Sequence, residues 1–294
     1  MSKRKNSKLF VALGGISVFC LLMVFVIKSQ SQKAEAEPPA LTETQKPLSP
    51  TKDKSQTSNT QKPHQSNTML EIPTYTVERE GWRAVHTGYT VDFNPDWHIP
   101  NWVAYELTAE ELQGDVPRAK NFVPDPAFID QCPTTYDYSN SGFDRGHMAA
   151  AGDMKWSRQA MAESFYTSNI CPQNHNLNGG DWENLESRVR GWASKYGNIY
   201  IACGPIVGKN YQTIGEMKVV VPESFFKVLL CKMNGQWQGI GFIFKNEAGH
   251  KPLNSYCKSI DEVEKATGID FFPQLDDAIE NKIEQSYNAE IWGL

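Results

Sequence analysis

Asp144-Arg145-Gly146-His147 sets a guanidinium and an imidazole two residues apart around a glycine. A neutral imidazole can take a proton from water near neutral pH, and a planar guanidinium suits the non-bridging oxygens of a phosphate. The tetrapeptide alone decides little, because an isolated histidine is more often a satisfied structural residue. The next forty residues add Ser168-Asn169-Ile170-Cys171-Pro172-Gln173, Leu177-Asn178, Glu186 and Arg190. Each has an ordinary reading. Asn178 can cap a helix, Arg190 can pair with Glu186 one turn earlier, and Arg118 can be a surface cation.

These residues need elements to hold them. Trp182, Leu185, Val189, Trp192 and Tyr196 are spaced 3, 4, 3 and 4, which predicts one apolar stripe on a helix closed by Gly197. At about 100° per residue, Asn178 and Glu186 on that helix lie roughly 80° apart and can border one cleft. Strand-like runs are Trp102–Leu107, Ile199–Cys203, Lys218–Val221, Phe225–Leu230 and Gly239–Phe244, broken by Gly, Pro or Asn. They predict an antiparallel sheet and an α+β class. Gly114–Tyr138, with four prolines, reads as a long ordered loop. Ser259 with Glu262 predicts a capping box opening a helix that runs to Ala266.

Leu9–Ile27 is an uncharged run of 19 residues, about 28 Å at helical rise and thus bilayer thickness. Lys3, Arg4, Lys5 and Lys8 precede it, so residues 1–8 are expected in the cytoplasm and the rest outside, periplasmic or extracellular. Ala34-Glu35-Ala36 resembles a signal cleavage site, and cleavage there yields a secreted protein. The run is longer than the roughly 7–15 residues of a signal h-region, which favours an uncleaved anchor at 9–27. Residues 28–70, rich in Ser, Thr, Gln, Pro and Lys, cannot offset their ordering entropy and form a disordered tether. Residues 71–294 form one domain with five cysteines in a disulfide-permissive setting. An odd number leaves at least one unpaired, and no C-x-x-C pair suggests a structural zinc site. The domain holds 19 Lys and Arg against 30 Asp and Glu, net −11. That excludes a protein coating duplex DNA through a basic surface and confines any nucleic-acid contact to local cations.

Together, Asp-Arg-Gly-His and Asn-x-x-Pro-Gln-x-x-x-x-Asn-x-x-x-x-x-x-x-Glu resemble the DNA/RNA non-specific endonucleases, the ββα-metal (His-Me finger) nucleases. Asn101–Tyr105, Cys203-Gly204-Pro205 and Thr267–Pro273 extend the resemblance over roughly residues 80–275. It implies a central antiparallel sheet with flanking helices and a metal-dependent, sugar-non-specific endonuclease acting on DNA and RNA. It implies His147 as general base and Asn178 as the single direct ligand of a magnesium ion, with manganese as a substitute. Glu186 would act through water in the metal's second shell, and Arg118 would be the transition-state arginine. Arg145, Asn169 and Arg190 would support the site and the substrate, 5′-phosphate ends would result, and a homodimer is a compatible assembly. The chemistry fits: hydrolysis of a phosphodiester needs a positioned base, a cation for the leaving oxygen and a fixed positive charge on the others. None of these reads a base or a 2′-hydroxyl. Two rivals remain: a narrower phosphodiesterase that uses the same residues with a smaller pocket, and a non-catalytic envelope binding protein that keeps the fold, which the acidic charge favours.

Overall fold

In chain order, the elements that build the site and its support are strands β1 (Trp82–Val85), β2 (Thr90–Asn94), β3 (Ile99–Thr108), β4 (Asp144–His147), β5 (Ile170–Gln173), β6 (Asn198–Ile206), β7 (Ser224–Met233), β8 (Gln236–Lys245) and β9 (Cys257–Lys258), and helices α1 (Glu183–Tyr196), α2 (Ile260–Thr267) and α3 (Asp277–Glu284). The computed structural model describes residues 69–294. The expected anchor at 9–27 and almost all of the tether at 28–70 lie outside the described residues. Among the described residues, no helix is long and apolar enough to cross a membrane.

Seven strands hydrogen-bond in the order β9-β8-β7-β6-β3-β2-β1, every neighbouring pair antiparallel, while β4 and β5 form a separate ribbon. The expected antiparallel sheet is therefore present within a mixed α/β fold. Because successive strand side chains point to opposite faces, β6 and β7 feed two cores. Ile199, Ile201, Cys203, Phe225, Leu229 and Cys231 pack with Leu185, Val189 and Trp192 of α1. Ala202, Phe226, Val228 and Leu230 pack with Ile260 and Val263 of α2 and Ile283 of α3. The sheet is sandwiched between α1 and the ribbon on one side and α2 and α3 on the other.

The predicted stripe is buried at Trp182, Leu185, Val189 and Trp192, with Tyr196 packed at its edge and Gly197 ending the helix at φ +105°. The helix begins later than predicted. Leu177–Trp182 forms wide π-type turns, kinked where Gly180 takes φ −124° and ψ −106°. Asn178 is therefore not an N-cap, and the 80° angle to Glu186 does not describe their relation. Of Lys218–Val221, only Val219–Val220 is strand, paired with Thr213–Ile214 outside the main sheet. Helix α2 carries the predicted box: Ser259 Oγ accepts from Glu262 N at 3.2 Å, and Ser259 N donates to Glu262 Oε2 at 2.8 Å. The five domain cysteines make no disulfide among themselves, each being a buried free thiol.

Helices α2 and α3 bring acidic side chains together. Burial, reinforced by neighbouring carboxylates, pushes Glu264 up to about 7 and Glu284 up to about 8.

Candidate active site

In the β4–β5 ribbon, Asp144 faces Gln173, Gly146 faces Cys171 and His147 faces Ile170. Position 146 must be glycine, because a Cβ there would stand 2.6 Å from Gln173 Cβ. The chain leaves β5 through Asn174–Asn176 and enters the wide turns before α1, so ribbon and helix flank a common space. That space is a cavity of about 410 Å³ whose lining includes Arg118, His147, Asn178, Glu183, Glu186 and Arg190. Five of the candidate residues thus meet there, from the long loop, the ribbon, the turns and the helix.

His147 is held as a neutral ring. It is 7% exposed, and its centroid lies 5.3 Å from that of Phe122 and 4.9 Å from that of Phe165. Burial, with the Arg118 charge adding to it, pushes its pKa from 6.5 down to about 3. Nε2 is buried with no protein hydrogen-bond partner, so no neighbouring group competes for the ring at that atom. The His147 carbonyl accepts from Trp182 Nε1 at 3.3 Å, which ties the end of β4 to the start of α1. Arg118 stacks over Phe165 at 5.1 Å and Arg145 over Phe122 at 4.8 Å, so each cation is one aromatic ring away from the imidazole. Arg118 lines the cavity. Arg145 does not; it lines an adjoining hollow with Tyr138, Phe143 and Asp144, and the two spaces share Asn178.

Asn178 is oriented by Asp144, whose Oδ2 accepts from Asn178 Nδ2 at 2.9 Å and is also 2.9 Å from His175 Nδ1. An ionised carboxylate only accepts, so the amide nitrogen must face Asp144 and Oδ1 is left for the cavity. A hard oxygen set by a partner behind it fits a divalent cation that keeps most of its waters.

Glu186 has its pKa pushed up to about 7 by burial, against the opposing charge of Lys227. Lys227 is 1% exposed, with Nζ 4.5 Å from the Trp182 ring. Arg190 does not pair with Glu186. Its Nη1 donates to Asp153 Oδ1 at 2.9 Å and its Nη2 to Ser187 Oγ at 3.0 Å, while Tyr105 holds the other Asp153 oxygen at 2.9 Å. Gly152 makes room, since a Cβ there would stand 2.9 Å from Arg190 Nη1.

Asn169 does not join the cavity. It is fully buried, with Oδ1 accepting from Ala149 N at 2.8 Å and Nδ2 donating to Ala149 O at 3.0 Å and Ser164 O at 2.8 Å. Both amide protons and the carbonyl oxygen are engaged in clamping the backbone just after His147, and full burial keeps the side chain from substrate. Asn169→Ala strands three backbone groups, at roughly 1–3 kcal/mol for each buried group left unpaired. The expected result is a loss of several kcal/mol in denaturant unfolding with KM for polynucleotide unchanged in the folded protein; a raised KM with unchanged stability would restore the substrate contact.

Phe122, Phe165, Asp153 and Lys227 escaped the sequence reading. Lys227 had a visible signal, a lone charge inside the apolar run Phe225–Leu230. The other three carry no local mark, because their roles arise only from tertiary packing.

The sequence pattern of the family described as DNA/RNA non-specific endonuclease matches residues 67–278. The chain is 35% identical over 213 residues to human mitochondrial nuclease EXOG, covering 65% of this chain and 57% of that protein. It is 36% identical over 202 residues to human mitochondrial endonuclease G, covering 64% and 68%. A chain from the crystal structure of an EndoG/EndoGI complex superposes with a TM-score of 0.62 and 29% identity, covering 67% of this chain and 88% of that one. The chain therefore spans less than two thirds of EXOG and about two thirds of endonuclease G.

Proposed function

Given that the chain belongs to the DNA/RNA non-specific endonuclease family, we propose that its cavity hydrolyses internal phosphodiester bonds of DNA and RNA, with β4, β5 and α1 acting as a ββα-metal unit. The observation that carries this reading is the convergence of Arg118, His147, Asn178, Glu186 and Arg190 on one cavity.

His147 serves as general base, taking a proton from water in the cavity that it lines. Its low pKa keeps the ring unprotonated, and an entering phosphate brings a negative charge that opposes Arg118 and raises the ring's basicity. Arg118 supplies a fixed positive charge for non-bridging oxygens. Asn178 Oδ1, with Glu186 beside it, would hold a divalent cation, magnesium or manganese, and such a cation would supply charge stabilisation at the scissile phosphate. Arg190, locked on Asp153, acts as a positioning residue for the helix face that carries Glu186. Arg145, in the adjoining hollow, is suited to a neighbouring phosphate along the strand. No residue in this set reads a base edge or requires a 2′-hydroxyl, so low sequence and sugar selectivity follows. The domain's net −11 leaves these local cations to attract the backbone. The reading includes an anchor at 9–27 with the catalytic domain outside the cytoplasm.

The test is incubation of the purified protein with plasmid DNA, single-stranded RNA and a bis-phenyl phosphate, with magnesium or with EDTA. Magnesium-dependent cleavage of both polymers is expected. Hydrolysis of the small diester alone would favour the narrower phosphodiesterase, and no hydrolysis with magnesium or manganese would leave a binding protein.

A pH profile separates Glu186 from His147. Glu186 without a cation is protonated below about 7, and a nearby cation favours its carboxylate form, so kcat/KM should rise with pH along a limb somewhat below that value. In Glu186→Gln the limb should flatten between about pH 5 and 8 at a lower rate; persistence of the limb would assign it to the imidazole instead.

A further inference from the structure

A second acidic centre stands on the face of the sheet opposite the cavity. Helix α2 supplies Asp261 and Glu264, three residues apart, and α3 supplies Glu280 and Glu284, four apart, so each pair shares one helix face. Asp270 follows α2 in the short pairing of Ile269–Asp270 with Thr74–Tyr75. Carboxylate oxygens of Asp261, Glu264 and Glu284 lie within 4.8 Å of one another, as do those of Asp270, Glu280 and Glu284. Glu284 belongs to both triads.

Crowding by itself specifies no ligand, but the bonding around Glu284 does. Glu284 is only 8% exposed, and its Oε1 is buried without a hydrogen-bond partner, as is Glu280 Oε1. Glu264 Oε1 takes only the Phe271 N–H at 2.9 Å, and Asp270 Oδ2 only the Thr74 hydroxyl at 3.1 Å. None of the five makes an ion pair among the described residues. Buried carboxylate oxygens are costly unless paired or on a metal. The positions are also fixed, because Val263 and Ile283, each next to a carboxylate in sequence, are anchored in the core beneath.

We propose that Asp261, Glu264, Asp270, Glu280 and Glu284 form a structural calcium site that ties α2 to α3 and is independent of the nuclease chemistry. The donors are all hard oxygens, which selects against zinc and other metals that prefer nitrogen or sulfur. Calcium accepts six to eight oxygens in irregular, partly bidentate geometry, whereas magnesium demands near-octahedral order and keeps its waters. Two triads sharing one central carboxylate suit the former.

The test is thermal unfolding of the full-length protein in calcium and in EGTA, for wild type, Glu284→Gln, Asp261→Asn and Asn178→Ala. At about a hundredfold over the dissociation constant, calcium should raise the wild-type Tm by roughly 5–10 °C. Glu284→Gln should abolish the shift and Asp261→Asn should diminish it, so the rim variant decides if the buried one fails to fold. Asn178→Ala should retain the shift, which separates this site from calcium held in the catalytic cavity. An unchanged wild-type Tm, a full shift in Asp261→Asn, or loss of the whole shift in Asn178→Ala would overturn the proposal.

Discussion

Replacing His147 by alanine lowers magnesium-dependent cleavage of plasmid DNA by roughly 10²–10⁴-fold, the usual range for a positioned general base. At 1.36 kcal/mol per factor of ten, that is about 3–5 kcal/mol of transition-state stabilisation. The effect should fall on kcat, because a base acts on water and adds little to binding the polymer. Stability should change far less than activity. The ring packs between Phe122 and Phe165, so its removal opens a cavity, but it also removes a buried nitrogen without a protein partner. Initial rates and unfolding curves on the same preparation separate the two effects. A variant that folds and still cleaves within tenfold of wild type would leave the imidazole without a catalytic role.

The second large effect concerns the amide and the acid behind it. Asn178→Ala removes the only protein oxygen assigned to the cation, so activity should fall by at least 10²-fold and the magnesium needed for half-maximal rate should rise beyond normal assay concentrations. Asp144→Asn leaves that oxygen in place but replaces an obligate acceptor with an amide that can be satisfied either way round. Asn178 is then free to flip. A partner behind a metal ligand typically affects metal affinity by roughly 10–100-fold, so the magnesium requirement should shift by that factor while the rate at saturating magnesium is largely restored. Titrating magnesium at fixed substrate distinguishes these outcomes. An Asp144→Asn enzyme with the wild-type magnesium curve would mean that Asn178 is not held through this bond.

Much of this site is legible in the sequence. The 3-4-3-4 spacing of Trp182 to Tyr196 marked the helix because burial on one face imposes that period, and the Ser259–Glu262 box marked another because reciprocal capping is local. What stayed hidden depends on distance through space. Gly179-Gly180 announces flexibility without saying that the turn widens to π-type geometry, so the start of α1 was misplaced. An amide inside a motif reads the same whether it touches substrate or clamps backbone, which is why Asn169 was assigned to substrate and is spent on Ala149 and Ser164. Arg190 lies one turn from Glu186, yet Asp153, far away in sequence, is the partner it finds. Strands β1 and β2 were not singled out, being short and exposed at the sheet edge in one case and wholly buried without alternation in the other.

The central claim is that one imidazole and one amide-held cation work on the same phosphate, and the cleavage rate of the His147→Ala/Asn178→Ala double variant addresses it most directly. Groups that act as a unit are strongly non-additive, so the double variant should cleave plasmid about as slowly as the more damaged single variant. Losses that multiply would mean that the two residues act independently, and the common-cavity account of catalysis would be wrong.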